Sequence, residues 1–439
     1  MNMGKLKEKI IKGVFWFTSG AVAVNALNLL THIILVRALS IRDYGLLSLA
    51  LSAYAIFLIF SDFGIGSYIV SDIAGETGKR KYGNVKALIK GYSKLSIILG
   101  TTLAILSFIL SFTLKGILPD IPMNLLLIIS LYLFVSFVKN IILTTIYGFG
   151  DFKNYNILTT LEALFKLVSV VVFIYLLHEG VVFALFSYVL GTIAAILLMI
   201  PVFLKKINKI RKYKVEDVGI FKKYFMDHGK WIVLSRPITM IAKQSHYWIA
   251  EYFLGVNAVA ILSVALRVYS FLYTMLRSIG ATVFQTLCEQ VQVNKKIAKI
   301  LVKKSIKYSI ILSILMILFT IIFSNRIVSF LFTDKYLSSG IVLVIVSFSF
   351  PLLSINDILR SYLYSLKKQK IYFHISIISS LSFVILQLLL ICFLGLIGIA
   401  VVFFINPIAV MICYIYVFRN IIHIKHLVMF AHTPNKRKI

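Results

Sequence analysis

Apolar runs of about 20 residues recur along the whole chain and are separated by short polar segments. Each run is long enough to cross a hydrocarbon core roughly 30 Å thick as an α-helix. Turn residues and charges between the runs divide them into twelve predicted membrane spans. The spans are predicted near residues 14–35, 45–67, 95–114, 123–147, 157–177, 181–204, 231–252, 256–281, 308–323, 340–364, 371–394 and 397–418.

The composition agrees with a membrane environment along most of the chain. Of 439 residues, 60% are hydrophobic and only 14% are charged, whereas a soluble domain carries roughly 25% charged residues. Twelve spans use about 240 residues, so the remainder forms short loops rather than a sizeable soluble domain. The predicted fold class is therefore an all-α integral membrane protein with about 12 transmembrane helices.

The chain is strongly basic, with 46 Lys and Arg against 16 Asp and Glu. On a soluble protein this excess would indicate a nucleic-acid partner. Here the cations outside the spans concentrate in alternate segments, which predicts that both termini are cytoplasmic and that the cations contact anionic membrane lipids. No nucleic-acid partner is predicted. The opposite loops hold only Arg37, Arg42, Lys115, Arg326 and Lys335.

Cofactor and metal motifs do not stand out in the sequence. Cys288, Cys392 and Cys413 form no CxxC pair and show no metal-ligand spacing, so neither a disulfide framework nor a metal site is predicted. No GxxxxGK[ST] loop occurs, which argues against ATP hydrolysis, and no cofactor is expected. The basic N-terminus leads directly into a long span, which predicts a retained first helix rather than a cleaved signal peptide.

Two sequence matches predict an internal duplication. The segments that start at Val36 and Glu251 align at an offset of 215, and those that start at Tyr147 and Tyr364 align at 217. With the long basic segment at mid-chain, they predict two six-helix lobes, residues 1–218 and 219–439, in the same membrane orientation. Matched pairs in the first alignment are Leu39/Leu254, Ser48/Ser263, Ala50/Ala265, Leu51/Leu266 and Tyr54/Tyr269.

Seven cations fall inside predicted spans. An ionised side chain at the centre of a transmembrane helix costs at least about 2.5 kcal/mol on insertion scales, so each of the seven is a candidate functional residue. They are Lys139, Lys166, Arg236, Lys243, Arg267, Arg277 and Arg360.

Spans seven and eight each carry a polar face at helical spacing. On span seven the opposite face is apolar and includes Leu234, Ile238, Ile241, Trp248 and Ile249. Two such polar faces predict a wet cavity between the helices. The polar residues are Ser235, Arg236, Thr239, Lys243, Gln244, His246 and Glu251 on span seven, and Ser263, Arg267, Ser270, Thr274, Arg277 and Ser278 on span eight.

Span one carries an uncharged counterpart of this stripe. Thr18, Asn25, Asn28 and His32 share one face of the span. A cavity between the lobes would therefore be cationic mainly on its C-terminal wall. We expect Asn25, Asn28, His32 and His246 to line it as polar residues, because no chain of paired carboxylates accompanies the histidines as a proton relay would require.

Some intramembrane charges have partners close in sequence. Glu162 and Lys166 are four residues apart, and Asp357 and Arg360 are three apart, so each pair is either self-neutralising on one helix or part of an ion-coupling site. Asp62 and Glu251 remain further candidates for ion coupling by elimination.

The other cations have no such neighbour. Lys139 and Arg277 lie near predicted cytoplasmic helix ends and either extend to lipid headgroups or contact substrate. Arg236, Lys243 and Arg267 are predicted substrate-binding residues, although Glu251 is within reach of one of them. Unpaired buried cations favour an anionic substrate, because a phosphate that leaves water requires charge-assisted donors.

Several stretches resemble the polysaccharide transporter family of O-antigen flippase type, within the superfamily that also holds multidrug and toxin extruders and lipid II flippases. The resemblance covers nearly the whole chain. Its strongest segments are FWFTSGAVAVNALNLLTHIILVRALSIRDYGLLSLALSAY, DFGIGSYIVSDIA, FLGVNAVAILSVALRVYSFLYTML and LFTDKYLSSGIVLVIVSFSFPLLSINDILRSYLYSLKKQK.

This resemblance implies a lobed twelve-helix fold that moves a polyprenyl-phosphate-linked or diphosphate-linked oligosaccharide by alternating access. It implies a location in the plasma or inner membrane, and glycan-assembly enzymes as partners. Two alternatives remain: a multidrug or cation antiporter, which would have carboxylates in the cavity, and a membrane glycan polymerase or ligase, which would have catalytic acids on the outer face.

Overall fold

The computed structural model describes residues 3–114, 122–215, 219–226, 230–293, 295–366 and 368–421, and every regular element in these ranges is a helix. Short π-helical segments extend α6 (Val171–Leu176) and α15 (Val417–Ile421). The α-helices are α1 (Met3–Ala38), α2 (Ile41–Phe60), α3 (Ile65–Gly78), α4 (Tyr82–Leu114), α5 (Met123–Gly148), α6 (Phe152–Val170), α7 (Val181–Arg211), α8 (Ile220–Tyr224), α9 (Lys230–Leu254), α10 (Val256–Val293), α11 (Lys295–Phe332), α12 (Ser338–Ser347), α13 (Phe350–Ser365), α14 (Gln369–Leu394) and α15 (Leu396–Tyr416).

The predicted all-α membrane architecture is confirmed. Ten helices among the described residues are long and apolar enough to cross a membrane, and the bent pair α12 and α13 forms an eleventh candidate. The remaining predicted span, the seventh, corresponds to α9, whose 25 residues are sufficient in length but include Arg236, Lys243 and Glu251. Its charge content explains why hydropathy alone does not identify it as a span.

Two of the predicted spans are broken rather than continuous. Between α2 and α3, Phe63 and Gly64 have φ angles of 50° and 77°. The Asp62 carboxylate accepts hydrogen bonds from the backbone N–H groups of Gly64 at 2.7 Å and Gly66 at 3.1 Å, and so caps the new helix. The helices α12 and α13 meet at 43°, where Pro351 lacks the N–H that a continuous helix would require.

Five helices are longer than the predicted spans. The helices α1, α4, α7, α10 and α11 continue past the apolar runs into basic segments on the side predicted to be cytoplasmic. Lys and Arg are good helix formers, so the helix continues after the chain has left the hydrocarbon. Hydropathy therefore locates where the membrane ends, not where the helix ends.

The N-terminal half (α1–α7) and the C-terminal half (α9–α15) make reciprocal contacts. The first helix of each half packs on its own half and also on the other: α1 contacts α6 and α10, and α9 contacts α14 and α2. The helix α8, which follows the boundary predicted at residue 218, packs on α4. Residues 216–218 lie outside the described ranges, and the division into lobes stays a prediction.

Residues matched in the sequence alignment make equivalent hydrogen bonds. In the N-terminal half the Tyr54 hydroxyl donates to Ser136 Oγ at 2.7 Å. In the C-terminal half the Tyr269 hydroxyl and Ser349 Oγ are 2.8 Å apart. Tyr54 and Tyr269 are 215 residues apart, so the two contacts have the same place in each copy and argue for a duplication.

The helices α2 and α10 meet where the two halves touch. Ser48 Oγ lies 2.9 Å from Ser263 Oγ, and these residues are themselves matched at the offset of 215. Because matched residues of the two halves touch each other here, the axis that relates the halves passes close to the Ser48–Ser263 contact. Next to it, a Cβ on Gly45 would lie 2.3 Å from the carbonyl oxygen of Val256, so only glycine permits this helix approach.

The halves are joined at the side on which α1 ends and α2 begins, which the charge pattern predicts to be the outer side. Arg37 donates from Nε to the carbonyl of Leu331 at 2.9 Å and from a second nitrogen to the carbonyl of Phe330. The ring of Tyr44 packs edge-on against Tyr336, with centroids 6.3 Å apart. We call this set, with the Ser48–Ser263 and Gly45–Val256 contacts, the outer closure.

The polar stripe of α10 changes from buried to exposed along the helix. Ser263 is fully buried in the outer closure, Arg267 is half-buried, and Ser270 and Arg277 are exposed. The space along this stripe is therefore closed at the predicted outer side and accessible toward the predicted cytoplasmic side. The side chains of Thr18 and Ser278, also predicted to be part of the polar faces, lie outside the described part of the chain.

Gly191 provides a test of the close approach between α6 and α7. A Cβ at this position would lie 2.6 Å from the backbone nitrogen of Lys166 and 2.8 Å from its Cα. Because backbone atoms cannot rotate away, we expect Gly191→Ala to lower the free energy of unfolding by about 1–3 kcal/mol. The melting temperature of the purified protein in detergent measures this change.

Gly75→Ala is the matched control, because a Cβ there would meet no atom within 4 Å. This variant is expected to melt at the wild-type temperature or slightly above it, since alanine favours a helix over glycine. Equal melting temperatures for the two variants would contradict the close helix contact.

Candidate functional site

The helix α9 presents one polar and one apolar face, as predicted. Arg236 and Lys243 are exposed. On the opposite face Leu234 and Ile241 are 53% and 43% exposed, which is the environment of side chains that face lipid. Further along the helix, Trp248 packs partly buried against the hydrophobic core, and its indole N–H donates to Ser52 Oγ on α2 at 3.1 Å.

Four cations from three helices form a cluster beside this polar face. Lys243 lies within electrostatic range of Arg236 on its own helix, Arg277 on α10, and Arg360 and Asp357 on α13. We call Arg236, Lys243, Arg277 and Arg360 the cation cluster. A charged side chain that faced lipid would not have such neighbours, so the exposure of Lys243 is exposure to the space between α9, α10 and α13.

Arg360 is the cluster member with a clear counter-ion. Its guanidinium contacts Asp357 Oδ1 at 2.7 Å, and the Tyr273 hydroxyl donates to Asp357 Oδ2 at 2.5 Å. The predicted pairing of Asp357 with Arg360 is thus present. Because both carboxylate oxygens are engaged, Asp357 has little capacity left to neutralise the other cations.

Arg236 contacts the N-terminal half. A Cβ on Gly64 would lie 2.7 Å from Arg236 Cγ, so the side chain passes directly over the turn between α2 and α3. The Asp62 carboxylate lies within electrostatic range of it. Arg236 therefore has an acidic neighbour from the other half, which its position in the sequence did not predict.

Lys243 and Arg277 differ from the other two. Within the described part of the chain, neither makes a hydrogen bond or an ion pair. An exposed ammonium and an exposed guanidinium close to two further cations form an electrostatically unfavourable arrangement unless an anion joins them. Phosphate oxygens suit both groups, since Lys contributes a point charge and Arg a planar set of donors.

Arg267 lies apart from this region, in the boundary between the halves. It lies within electrostatic range of Tyr44 on α2, Tyr188 on α7 and Tyr247 on α9. Its Nε is buried without a hydrogen-bond partner among the described atoms. The structure thus brings Arg267 to the outer closure rather than beside Arg236 and Lys243.

His246 is buried inside the C-terminal half and does not reach the cation cluster. Its ring packs on Tyr247 at 4.1 Å and on Phe403 of α15 at 5.3 Å between centroids. Neither ring nitrogen has a hydrogen-bond partner among the described atoms. Histidine at this position is therefore enclosed mainly by aromatic side chains.

The N-terminal half contains a separate ion network. Lys139 Nζ and Lys166 Nζ contact the same oxygen of Glu162 at 2.9 Å and 2.6 Å, and all three side chains are nearly buried. Thr192 Oγ1 donates to that oxygen at 3.2 Å. The predicted Glu162–Lys166 pair is present, but the interpretation of Lys139 as extending to lipid headgroups is wrong, because it pairs with Glu162 instead.

The remaining predicted residues, Asn25, Asn28 and Glu251, lie outside the centre of the cation cluster. Asn25 and Asn28 are half-buried on α1, and Asn25 donates its amide to the carbonyl of Ala21 at 2.8 Å. Glu251 is half-buried near the predicted outer end of α9. Eight residues separate it from Lys243, or about 12 Å along the helix, which places it outside the centre of the cluster.

Tyrosines are the site-forming residues that sequence reasoning missed. Tyr44, Tyr188 and Tyr273 each bond to a histidine or to a carboxylate within the spans. Their hydroxyl groups satisfy polar partners that would otherwise be costly in the membrane. No pattern in the sequence distinguished them, because tyrosine also occurs in helices as an ordinary core-packing residue.

Two family models match the chain. The model described as polysaccharide biosynthesis protein matches residues 10–289, well over half of the chain, and the MatE model matches residues 238–389. The uncharacterized membrane protein MJ1068 of Methanocaldococcus jannaschii is 24% identical over 419 residues, which cover 90% of this chain and 81% of that protein.

Solved structures of similar fold are transporters and flippases. An inward-facing multidrug resistance MATE transporter of the MOP superfamily superposes with a TM-score of 0.72 at 16% identity, over 92% of this chain and 96% of that one. The lipid II flippase MurJ, in an inward closed conformation, gives 0.68 at 15% identity, over 92% and 87%. These comparisons confirm the predicted superfamily and its MATE-like fold.

The ion network around Glu162 is expected to be structural. Removing the only carboxylate between two buried lysines leaves their charges uncompensated, so we expect Glu162→Gln to lower the free energy of unfolding by about 3–5 kcal/mol. Adding Lys166→Met to this variant removes one of the orphaned charges and is expected to restore part of the loss. Melting temperatures in detergent test both statements; an unchanged value for Glu162→Gln would contradict them.

Removing a charge from the cation cluster is expected to preserve the stability of the protein, in contrast to removing the Glu162 carboxylate. Lys243→Gln removes a charge that is surrounded by like charges, so its stability should equal the wild type or exceed it by up to about 1 kcal/mol. Arg360→Gln is the control, because it leaves Asp357 without its counter-ion and should lower the melting temperature. A clear destabilisation by Lys243→Gln would mean that Lys243 has a structural role.

Proposed function

Because this chain belongs to the polysaccharide biosynthesis protein family, we propose that it is a flippase for a polyprenyl-phosphate-linked or diphosphate-linked oligosaccharide. The observation that supports this proposal is the exposure of Lys243 and Arg277 in the cation cluster without a counter-ion among the described residues. The lipid would be moved from the cytoplasmic to the outer leaflet. No covalent chemistry on the sugar is proposed.

The chemistry of the cluster favours a phosphate. Of its four cations, Arg360 is paired with Asp357 and Arg236 has Asp62 as an acidic neighbour, which leaves Lys243 and Arg277 to bind an added anion. In this proposal Lys243 and Arg277 hold the phosphate groups. The neighbouring Arg236 and Arg360 keep the electrostatic potential around the phosphates positive. The half-buried Asn25 and Asn28 on α1 are proposed to contact the sugars.

The arrangement also provides for translocation. The cluster is accessible from the predicted cytoplasmic side, while the outer closure blocks the predicted outer side. In the proposed cycle the headgroup binds in the cavity, the polyprenyl tail stays in lipid, and the two halves then rock to exchange the open and closed sides. The cations keep the phosphate from crossing hydrocarbon as an uncompensated charge.

The proposed setting follows from the same function. The chain is a multi-pass membrane protein, and we place it in the plasma or inner membrane with both termini in the cytoplasm. The enzymes that assemble the lipid-linked glycan on one side and use it on the other are the expected partners.

A cation antiporter is the principal alternative. The MATE-like fold suits it, yet an organic cation at the cluster would meet four like charges, and Asp357 is already bonded to Arg360 and Tyr273. A polymerase or ligase would also act on a lipid-linked glycan, but it would lengthen or transfer the sugar chain. Both alternatives are distinguishable in a single reconstituted system.

Proteoliposomes that contain a fluorescent polyprenyl-diphosphate oligosaccharide in one leaflet test the proposal. Loss of one charge-assisted contact to phosphate costs about 1.5–3 kcal/mol, so Lys243→Gln and Arg277→Gln should each lower the initial translocation rate by at least about tenfold. Lys335→Gln removes an exposed cation in the turn before α12 and should translocate at the wild-type rate.

Three results would point elsewhere. Efflux of a soluble organic cation down an ion gradient, with no movement of the labelled lipid, would support the antiporter. A change in glycan length would support an enzyme. Equal rates for Lys243→Gln, Arg277→Gln and the wild type would remove the cation cluster from the substrate site.

A further inference from the structure

The Tyr44 hydroxyl is a junction between the two halves. Tyr44 is fully buried, and its hydroxyl lies within hydrogen-bonding distance of groups on two other helices. His32 Nδ1 on α1 is 3.2 Å away, and Ser263 Oγ on α10 is 3.5 Å away. Arg267, also on α10, lies within electrostatic range of both Tyr44 and His32. The hydroxyl thus connects the N-terminal half with the C-terminal half in the centre of the outer closure.

Both ring nitrogens of His32 face a tyrosine hydroxyl. Nδ1 lies 3.2 Å from the Tyr44 hydroxyl, and Nε2 lies 3.5 Å from the Tyr188 hydroxyl. Arg267 lies within electrostatic range of the ring and carries only N–H donors. A neutral imidazole accepts the Tyr44 proton at Nδ1, directs its own N–H toward Tyr188, and adds no charge beside Arg267.

A proton on Nδ1 is incompatible with this arrangement. It would turn Nδ1 from an acceptor into a donor toward Tyr44, and it would set a second positive charge close to Arg267 in a buried site. His32 is 4% exposed, so water cannot screen the repulsion while the closure is intact. The closed state therefore excludes the imidazolium.

Nearby charges do not relieve the repulsion. Lys166 Nζ lies over the ring of Tyr188 at 5.7 Å from its centroid, which adds a further positive charge. Glu162 is already shared by Lys139 and Lys166. The groups that face His32 are Tyr44 on α2, Tyr188 on α7 and, within electrostatic range, Arg267 on α10. Beyond them, Lys166 lies over the Tyr188 ring, Tyr336 packs on Tyr44, and Tyr247 lies near Arg267. Arg37, on the same helix as His32, is bonded to the Phe330 and Leu331 carbonyls of α11.

We propose that His32 Nδ1 is a proton-binding site and that its protonation opens the outer closure. The proton comes from water on that side of the membrane, occupies the nitrogen lone pair and breaks no covalent bond. Because the open state accepts the proton and the closed state excludes it, lowering the pH shifts the equilibrium toward the open state. Closing again releases the proton.

Histidine suits this role because its charge changes between about pH 5 and pH 8. Uptake of one proton per opening limits the response to about a tenfold change in the open-to-closed ratio per pH unit. The site would supply a coupling step that is independent of the carboxylates considered above. It requires only an outer side that opens and closes, so it stands or fails separately from the identity of the transported lipid.

A distance measurement in substrate-free protein tests the proposal. Glu179 and Lys335 are exposed at the predicted outer side, one in each half. With the native cysteines replaced by serine, spin labels on Glu179→Cys and Lys335→Cys report the separation of the halves in nanodiscs. We expect the longer-distance population to grow several-fold as the pH falls from about 8 to about 5, the range in which histidine titrates.

Substitutions around the ring identify the titrating atom. His32→Asn keeps an acceptor and a donor but cannot be protonated, so the distances should stay short at every pH. Tyr44→Phe removes the donor to Nδ1 and should enlarge the open population already at about pH 8. Tyr188→Phe affects only the Nε2 side and should keep the pH response. His178→Asn, at an exposed outer position with a φ of 54° that Asn tolerates, is the matched control.

The outcomes decide the proposal directly. A wild-type distance distribution that does not change with pH, or a full response in His32→Asn, overturns it. A response that is lost in His246→Asn and kept in His32→Asn assigns the proton to the other buried histidine and also overturns it. If His32→Asn does not fold, His32→Gln serves as the same test, because its amide also offers one acceptor and two donors without titrating.

Discussion

An ionised side chain within the hydrocarbon must be paired, or it must have access to water, and this constraint explains the distribution of charge in the protein. Glu162 is shared by Lys139 and Lys166, and Asp357 is held by Arg360 and Tyr273. Once these carboxylates are committed, Lys243 and Arg277 depend on the accessible space beside α9 and α10. The fold can hold them only if that space is wet in at least one conformation, so the transport pathway and the tolerance for charge have the same structural origin.

The duplication explains why the cations lie on one wall. At the offset of 215, the positions of Arg236, Lys243 and Arg267 correspond to Ala21, Asn28 and Ser52. The two halves therefore share a framework of equivalent contacts, such as those of Tyr54 and Tyr269, while the charges have diverged. An anion bound between the halves would be attracted mainly to the C-terminal wall, and the N-terminal wall would offer neutral hydrogen-bonding groups that suit sugar hydroxyls.

Hydropathy and helical periodicity predicted the spans and the polar face of α9, because side chains that face lipid must be apolar and this requirement determines the residue pattern. They did not predict which residues meet across helices. Lys139 pairs with Glu162, 23 residues away, and Arg267 turns toward Tyr44 instead of joining Lys243. Periodicity gives the face on which a side chain lies, but the neighbour on that face depends on how the helices pack.

The polar stripe of α10 belongs to both the closure and the cation cluster. At one end Ser263 bonds to Ser48 of the other half and Arg267 lies close to Tyr44, while Arg277, about 15 Å beyond Arg267 along the helix, lies in the accessible cluster. A movement of α10 that separates Ser263 from Ser48 must also shift Arg277 relative to Lys243, because a single helix carries both. Binding an anion at one end and breaking the closure at the other are therefore linked by the rigidity of the helix, without any flexible connection between the two sites. Each half needs such a helix at the boundary, and in the N-terminal half α2 occupies the matching place. Tyr44 and Ser48 lie at its outer end, and Asp62 lies just beyond its inner end.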